Sequence, residues 1–91
     1  MSLILVAYDL KQNDKDYASL HEAIKSCGNQ WWHYLESVWI VKTELTPDEF
    51  CDKIQNGIEN NDFLFVIDIT NKKYQGRLTR KAWEWLKNNS E

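Results

Sequence analysis

The sequence predicts an α+β domain in the order strand, helix, strand, strand, helix, strand, followed by one further helix. Three observations carry this expectation. The runs Leu3 to Leu10 and Phe63 to Thr70 are of strand length and apolar at both parities. Two stretches between them repeat apolar residues at helical spacing. The segment separating those stretches, Gln30 to Thr43, is rich in aromatic and β-branched residues. A chain of 91 residues is one domain. Its core is expected at about residues 3–70, with a C-terminal extension at about 71–91.

Each element has its own signal. Leu3, Leu5 and Ala7 share one face of the first strand, and Ile4, Val6, Tyr8 and Leu10 share the other. Two apolar faces place that strand mid-sheet. Asp14 or Asp16 can cap the first helix, whose stripe is Tyr17, Leu20, Ile24 and Cys27. Gly28 and Asn29 form the expected C-terminal stop. Gln30 to Thr43 is long for one strand. A turn at Leu35-Glu36-Ser37 would divide it near 31–35 and 38–43, and a single bent strand is the alternative. Thr46-Pro47-Asp48-Glu49 opens the second helix with an N-cap, a proline at the first helical position and a capping box. Phe50, Cys51, Ile54 and Ile58 supply its buried face, and Asn60, Asn61 and Asp62 end it. A polar connection follows the last strand, with room for a short edge strand at Tyr74. Thr79 to Asn89 is the additional C-terminal helix.

Two right-handed strand–helix–strand units in this order give a ferredoxin-like βαββαβ sandwich with the first and third strands central. Its two helices cover one sheet face. The other face is apolar too, so the C-terminal helix or a second copy of the chain must cover it. A helix of about eleven residues spans little more than ~16 Å. A homodimer, sheet-mediated or tail-swapped, is therefore expected.

Composition narrows the function classes. No apolar run approaches the ~18 residues of a membrane span, and the start, Met1 to Leu10, is too short for a signal peptide and has no basic region. Cys27 and Cys51 form no metal or redox spacing. Together these features predict a cytoplasmic protein. Residues 1–70 carry five lysines against twelve acids, a charge of −7, while residues 71–91 carry +4. A basic tail on an acidic body can contact nucleic acid or the acidic body of a partner subunit. Arg77, Arg80 and Lys81 are the candidate phosphate contacts.

Asp9 is the candidate reactive residue, a carboxylate at the C-terminal end of a central strand. Capping of its own loop is the bland alternative. Asp68 falls at the opposite end of the sheet, so the two do not pair within one subunit. Mg²⁺ wants several oxygen ligands, which one Asp per chain supplies only if a two-fold axis joins two copies of Asp9. His21 and His33 lack the partners of a nucleophilic site and are expected to be structural. Trp31, Trp32, Tyr34 and Trp39 could stack bases, but no Lys or Arg lies between residues 26 and 41. Core or interface packing is preferred, with Trp39, Trp83 and Trp85 as candidate dimer-interface residues.

Tyr8-Asp9-Leu10 and Ser37-Val38-Trp39, with Gly28 after the first helix and Asp62 to Thr70 as a last strand, resemble the small CRISPR-associated endonuclease-like proteins that partner the spacer integrase. The ending, Tyr74-Gln75-Gly76-Arg77 through Ala82-Trp83-Glu84-Trp85, looks more like a sister group of SinR-like bacterial proteins. The resemblance implies a ferredoxin-like homodimer with Asp9 in the place of a metal-binding aspartate. Two functions follow as expectations. One is a dimeric interaction or scaffold module that contacts a protein or nucleic acid. The other is a Mg²⁺-dependent endonuclease, RNase or DNase, with Asp9 as the catalytic and metal-binding residue, paired across the dimer axis.

Overall fold

The computed structural model describes residues 1–11, 17–59 and 61–90. The chain runs β1 (Ser2–Asp9), α1 (Ala18–Lys25), β2 (Gln30–Leu35), β3 (Val38–Thr43), α2 (Pro47–Ile54), β4 (Phe63–Asp68) and α3 (Arg80–Asn89), with a 3₁₀ turn at Gln55–Gly57 after α2. Four strands form one antiparallel sheet in the order β2-β3-β1-β4. β1 and β3 are central, as their two apolar faces require. The turn at Glu36 and Ser37 separates β2 from β3, so the single bent strand is not formed. No strand forms at Tyr74; among the described residues, 71–79 contain no regular element.

Period-two alternation divides the core between the sheet's faces. Ile4 and Val6 of β1 join Trp39 and Val41 of β3 against Leu20 and Ile24 of α1 and Phe50 and Ile54 of α2. On the opposite face Leu3, Trp32 and Ile40 pack against Ala82 and Leu86 of α3. The Trp32 indole N–H donates to the Ala82 carbonyl at 3.1 Å, so its one polar atom is satisfied while the ring is buried. Thus α3 covers part of the second face within its own chain.

Local chemistry explains the helix ends. Thr46 Oγ1 accepts from the Glu49 amide and Glu49 Oε1 accepts from the Thr46 amide, closing the expected capping box. Thr79 caps α3 by accepting from the Ala82 amide. Tyr17 is the N-cap of α1 and gives it no side-chain cap; the expected caps Asp14 and Asp16 lie outside the described residues. Gly28 differs from the expected helix stop. No glycine has positive φ, and α1 ends earlier, at Lys25. What position 28 needs is the absence of a side chain, because a Cβ there would strike the Lys42 carbonyl of β3.

Cys27 is buried just beyond α1 and Cys51 is half-buried on α2, both as free thiols. Burial pushes the Cys27 thiol up from its ordinary range, partly offset by Lys53. Among the described residues no helix is long and apolar enough to cross a membrane.

Candidate functional site

β1 delivers Asp9 to the end of the sheet, opposite Phe63 of β4. The side chain is 67% exposed and sits on the α3 side, in step with Leu3 and Leu5. Its Oδ2 lies 2.8 Å from Lys11 Nζ. That ammonium also stands 5.9 Å from the centre of the Phe63 ring. Asp9 therefore makes an exposed ion pair, which is neither a metal site nor the loop cap that is its alternative reading. The capping is done at the other end of the sheet by Asp68, whose Oδ1 accepts from the amide and hydroxyl of Thr70. Those bonds hold the Asp68 carboxyl below its usual range. Asp68 lies opposite Ile4 and Asp9 opposite Phe63, so they do not pair. Among the described residues no three His, Cys, Asp or Glu side chains assemble as a metal group. The described residues alone thus supply no Mg²⁺ site around Asp9.

On the helix side of the same sheet end, aromatic rings and both histidines pack together. The Trp39 indole donates to the Tyr8 hydroxyl at 3.0 Å. That hydroxyl donates to the Glu36 carbonyl at 3.4 Å and lies 3.5 Å from His21 Nε2. His33 stacks on Trp39 at 3.9 Å between centroids and 15° between planes, with its Nε2 3.1 Å from the Glu36 carbonyl. His21 approaches the Trp39 ring at 5.5 Å. Each imidazole is tied into packing, as structural histidines should be. The sheet divides the four neighbouring aromatics of the sequence. Trp31 and Trp39 meet on this face, and Trp32 and Tyr34 meet on the other. No common stacking platform results.

The candidate interface tryptophans are also placed. Trp39 is only 2% exposed, in the first core. Trp83 and Trp85 are half-buried, and both pack against the second core of their own chain. Arg77, Arg80 and Lys81 are all exposed. Arg80 and Lys81 occupy the first turn of α3, where the helix dipole disfavours cations.

Two features were not legible in the sequence. The first is Asp62, read there only as a helix breaker. It is buried, and its carboxylate accepts from the Lys11 amide at 2.8 Å, the Glu59 amide at 2.8 Å and the Tyr17 hydroxyl at 3.1 Å. Two of these partners come from a distant part of the chain, which no local pattern reveals. The second is β4. Its Phe63, Phe65 and Ile67 are 65%, 64% and 41% exposed on the face that α3 covers only in part.

No family model, curated protein or solved structure matches this chain. β4 is the element whose geometry bears most on function. It is an outer strand. The Ile69 amide donates to the Leu3 carbonyl at 2.8 Å, so odd-numbered residues of this strand point their backbone groups at β1. By alternation Leu64, Val66 and Asp68 point theirs outward. The strand Phe-Leu-Phe-Val-Ile-Asp carries no Lys, no Pro and no bulge, the usual protections of an edge. The other edge strand, β2, has an irregular register between Trp32 and Leu35.

Proposed function

We propose that the chain is a homodimeric interaction module whose two copies join through β4. The carrying observation is the coincidence on one strand of an unprotected edge and an exposed apolar row. Antiparallel pairing about Val66 is self-complementary, as a two-fold contact must be. It sets Leu64 opposite Asp68 of the partner subunit and uses every outward backbone group. Phe65 then faces the partner's Ile67, and the strand's one carboxylate meets no like charge. Two such edges with their aromatic rows remove on the order of 1,000 Å² from water, the lower limit of a specific interface. A dissociation constant on the order of 10 μM is the corresponding expectation. Arg77, Arg80 and Lys81 are assigned to contact with a further partner, nucleic acid or protein, supported by their exposure. Within this reading the fold belongs with the ferredoxin-like sandwiches, supported by its two strand–helix–strand units and central β1 and β3.

Sedimentation velocity over a concentration series that crosses the micromolar range tests the dimer. The mass should double. Phe65→Lys, at an exposed position, should weaken association at least about tenfold and leave the melting temperature of the monomer unchanged. A monomer at every concentration would end the dimer reading. A dimer indifferent to Phe65→Lys would move the interface elsewhere.

The edge pairing also bears on Asp9. Pairing about Val66 keeps the two Asp9 residues more than about 20 Å apart, since each lies at a different end of the joined strands. A shared Mg²⁺ site and this dimer exclude one another. Incubation of labelled single- and double-stranded RNA and DNA with Mg²⁺ or Mn²⁺ should therefore give the same traces for the wild type and Asp9→Ala. Metal-dependent cleavage lost in the variant would instead establish the endonuclease, with Asp9 in its site.

A further inference from the structure

Between α3, the irregular segment 71–79 and the sheet lies a groove of about 290 Å³. Its floor is apolar and comes from all three parts: Leu5 and Ile40 of the sheet, Trp32 beside them, Leu78 before α3, and Trp83 and Leu86 on it. Lys72, Lys73 and Arg77 line it from the connecting segment, and no Asp or Glu is among its lining residues. Among the described residues none of these three cations lies within 4 Å of a carboxylate. We infer that this groove binds a small amphipathic anion, a medium-length acyl chain or single ring system carrying one carboxylate.

The volume is at the small end of the range for ligand pockets. An apolar floor that includes two tryptophans rewards burial of hydrocarbon at roughly 25 cal/mol per Å². It offers almost nothing to the polar edges of a base, which disfavours a nucleic-acid strand as the occupant. The body of the chain, at −7 over residues 1–70, further opposes a polyanion. A single anionic head needs only the local charge of Lys72, Lys73 and Arg77, of which Lys72 alone feels a nearby carboxylate, Asp68, among the described residues and none is in contact with one. Arg77 thereby gains a role distinct from that of Arg80 and Lys81, which do not line the groove.

Decanoate and decyltrimethylammonium have equal chains and opposite heads, so together they separate charge recognition from greasiness. Titration of the full chain, followed by tryptophan fluorescence and calorimetry, should show decanoate binding at one site and the cation binding at least about tenfold more weakly. The double variant Lys72→Glu, Lys73→Glu changes two exposed side chains and should lower decanoate affinity about tenfold without shifting the melting temperature. Equal affinity for the two heads would overturn the charge assignment. Absence of decanoate binding would overturn the site. An oligothymidylate that binds, and that decanoate fails to displace, would make the groove a nucleic-acid contact and overturn the assignment as well. If the chain dimerises through this face, decanoate affinity will fall as protein concentration rises, and the groove will be an interface between copies instead.

Discussion

Trp39→Ala should destabilise the chain by about 3–5 kcal/mol, the range for deleting a large aromatic from a packed core. The residue belongs to central strand β3, opposite Val6 of β1. Its ring is 2% exposed and takes part in the first core cluster. One face carries the stacked His33, and its indole N–H holds the Tyr8 hydroxyl, which in turn reaches the Glu36 carbonyl. Removal therefore opens a cavity at the centre of the sheet and takes away the donor that fixes the Tyr8 hydroxyl beside the β2–β3 turn. Trp39→Phe keeps most of the volume but leaves the Tyr8 hydroxyl without its donor, so a loss of about 1–2 kcal/mol is expected. Urea unfolding of both variants measures this. The same experiment decides the role assigned from sequence. An interface tryptophan, once removed, would weaken association and spare the unfolding free energy of the monomer. A core tryptophan does the reverse.

Asp62→Ala should cost about 2–4 kcal/mol, although an aspartate in a turn usually contributes little. Its carboxylate, on a residue only 6% exposed, receives the Lys11 amide, the Glu59 amide and the Tyr17 hydroxyl. It thus ties the end of β1, the start of α1 and the connection before β4 into one knot. Alanine would strand these donors in a half-buried place, and each unsatisfied group costs about 1–3 kcal/mol. The groups relax toward water in part, so the total falls short of the sum. Asp62→Asn retains one acceptor oxygen and should lose about half as much. Amide hydrogen exchange gives the specific readout: the Lys11 and Glu59 amides should exchange faster in Asp62→Ala, while Val6 and Val41 in the sheet centre keep their protection. Unchanged exchange at Lys11 and Glu59 would show that the carboxylate does not hold them.

How much of this was legible beforehand depends on the range over which each cause acts. The capping box of Thr46, Pro47 and Glu49 was readable because all its partners lie within four residues. The same holds for α3, opened by Thr79 with Ala82 and Leu86 on its buried side. The division of β2 from β3 at Glu36 and Ser37 was readable from length, although no Gly or Pro marks the turn. Gly28 was found for the wrong reason. Local rules assign a glycine after a helix to a left-handed cap, whereas here it lets the chain pass the Lys42 carbonyl of β3. That contact spans fourteen residues, beyond any local rule.

The site is less local still. Asp9 was singled out from its place at a strand end, and the structure gives it an exposed bond to Lys11 and no metal companions among the described residues. The tryptophans were grouped by sequence proximity, but alternation across a sheet sends neighbours to opposite faces. Trp31 and Trp32 therefore serve different layers. Trp83 and Trp85, two apart on a helix, still reach one core because Trp32 and its neighbours form a broad floor beneath α3.

The sequence by itself determined the order of elements, the centrality of β1 and β3, the capping box of α2 and the need to cover a second apolar sheet face. These follow from periodicity and capping, which act within a turn or a strand pair. Only the tertiary structure decided that α3 covers part of that face in cis and leaves the β4 row of Phe63, Phe65 and Ile67 open. It alone brought Lys72, Lys73 and Arg77 to the rim of an apolar groove and buried Asp62 where the Lys11 and Glu59 amides and the Tyr17 hydroxyl meet it. The physical reason is the same in each case. Burial is a property of what lies opposite a side chain, and in this chain the opposing residues can be fifty positions away or more.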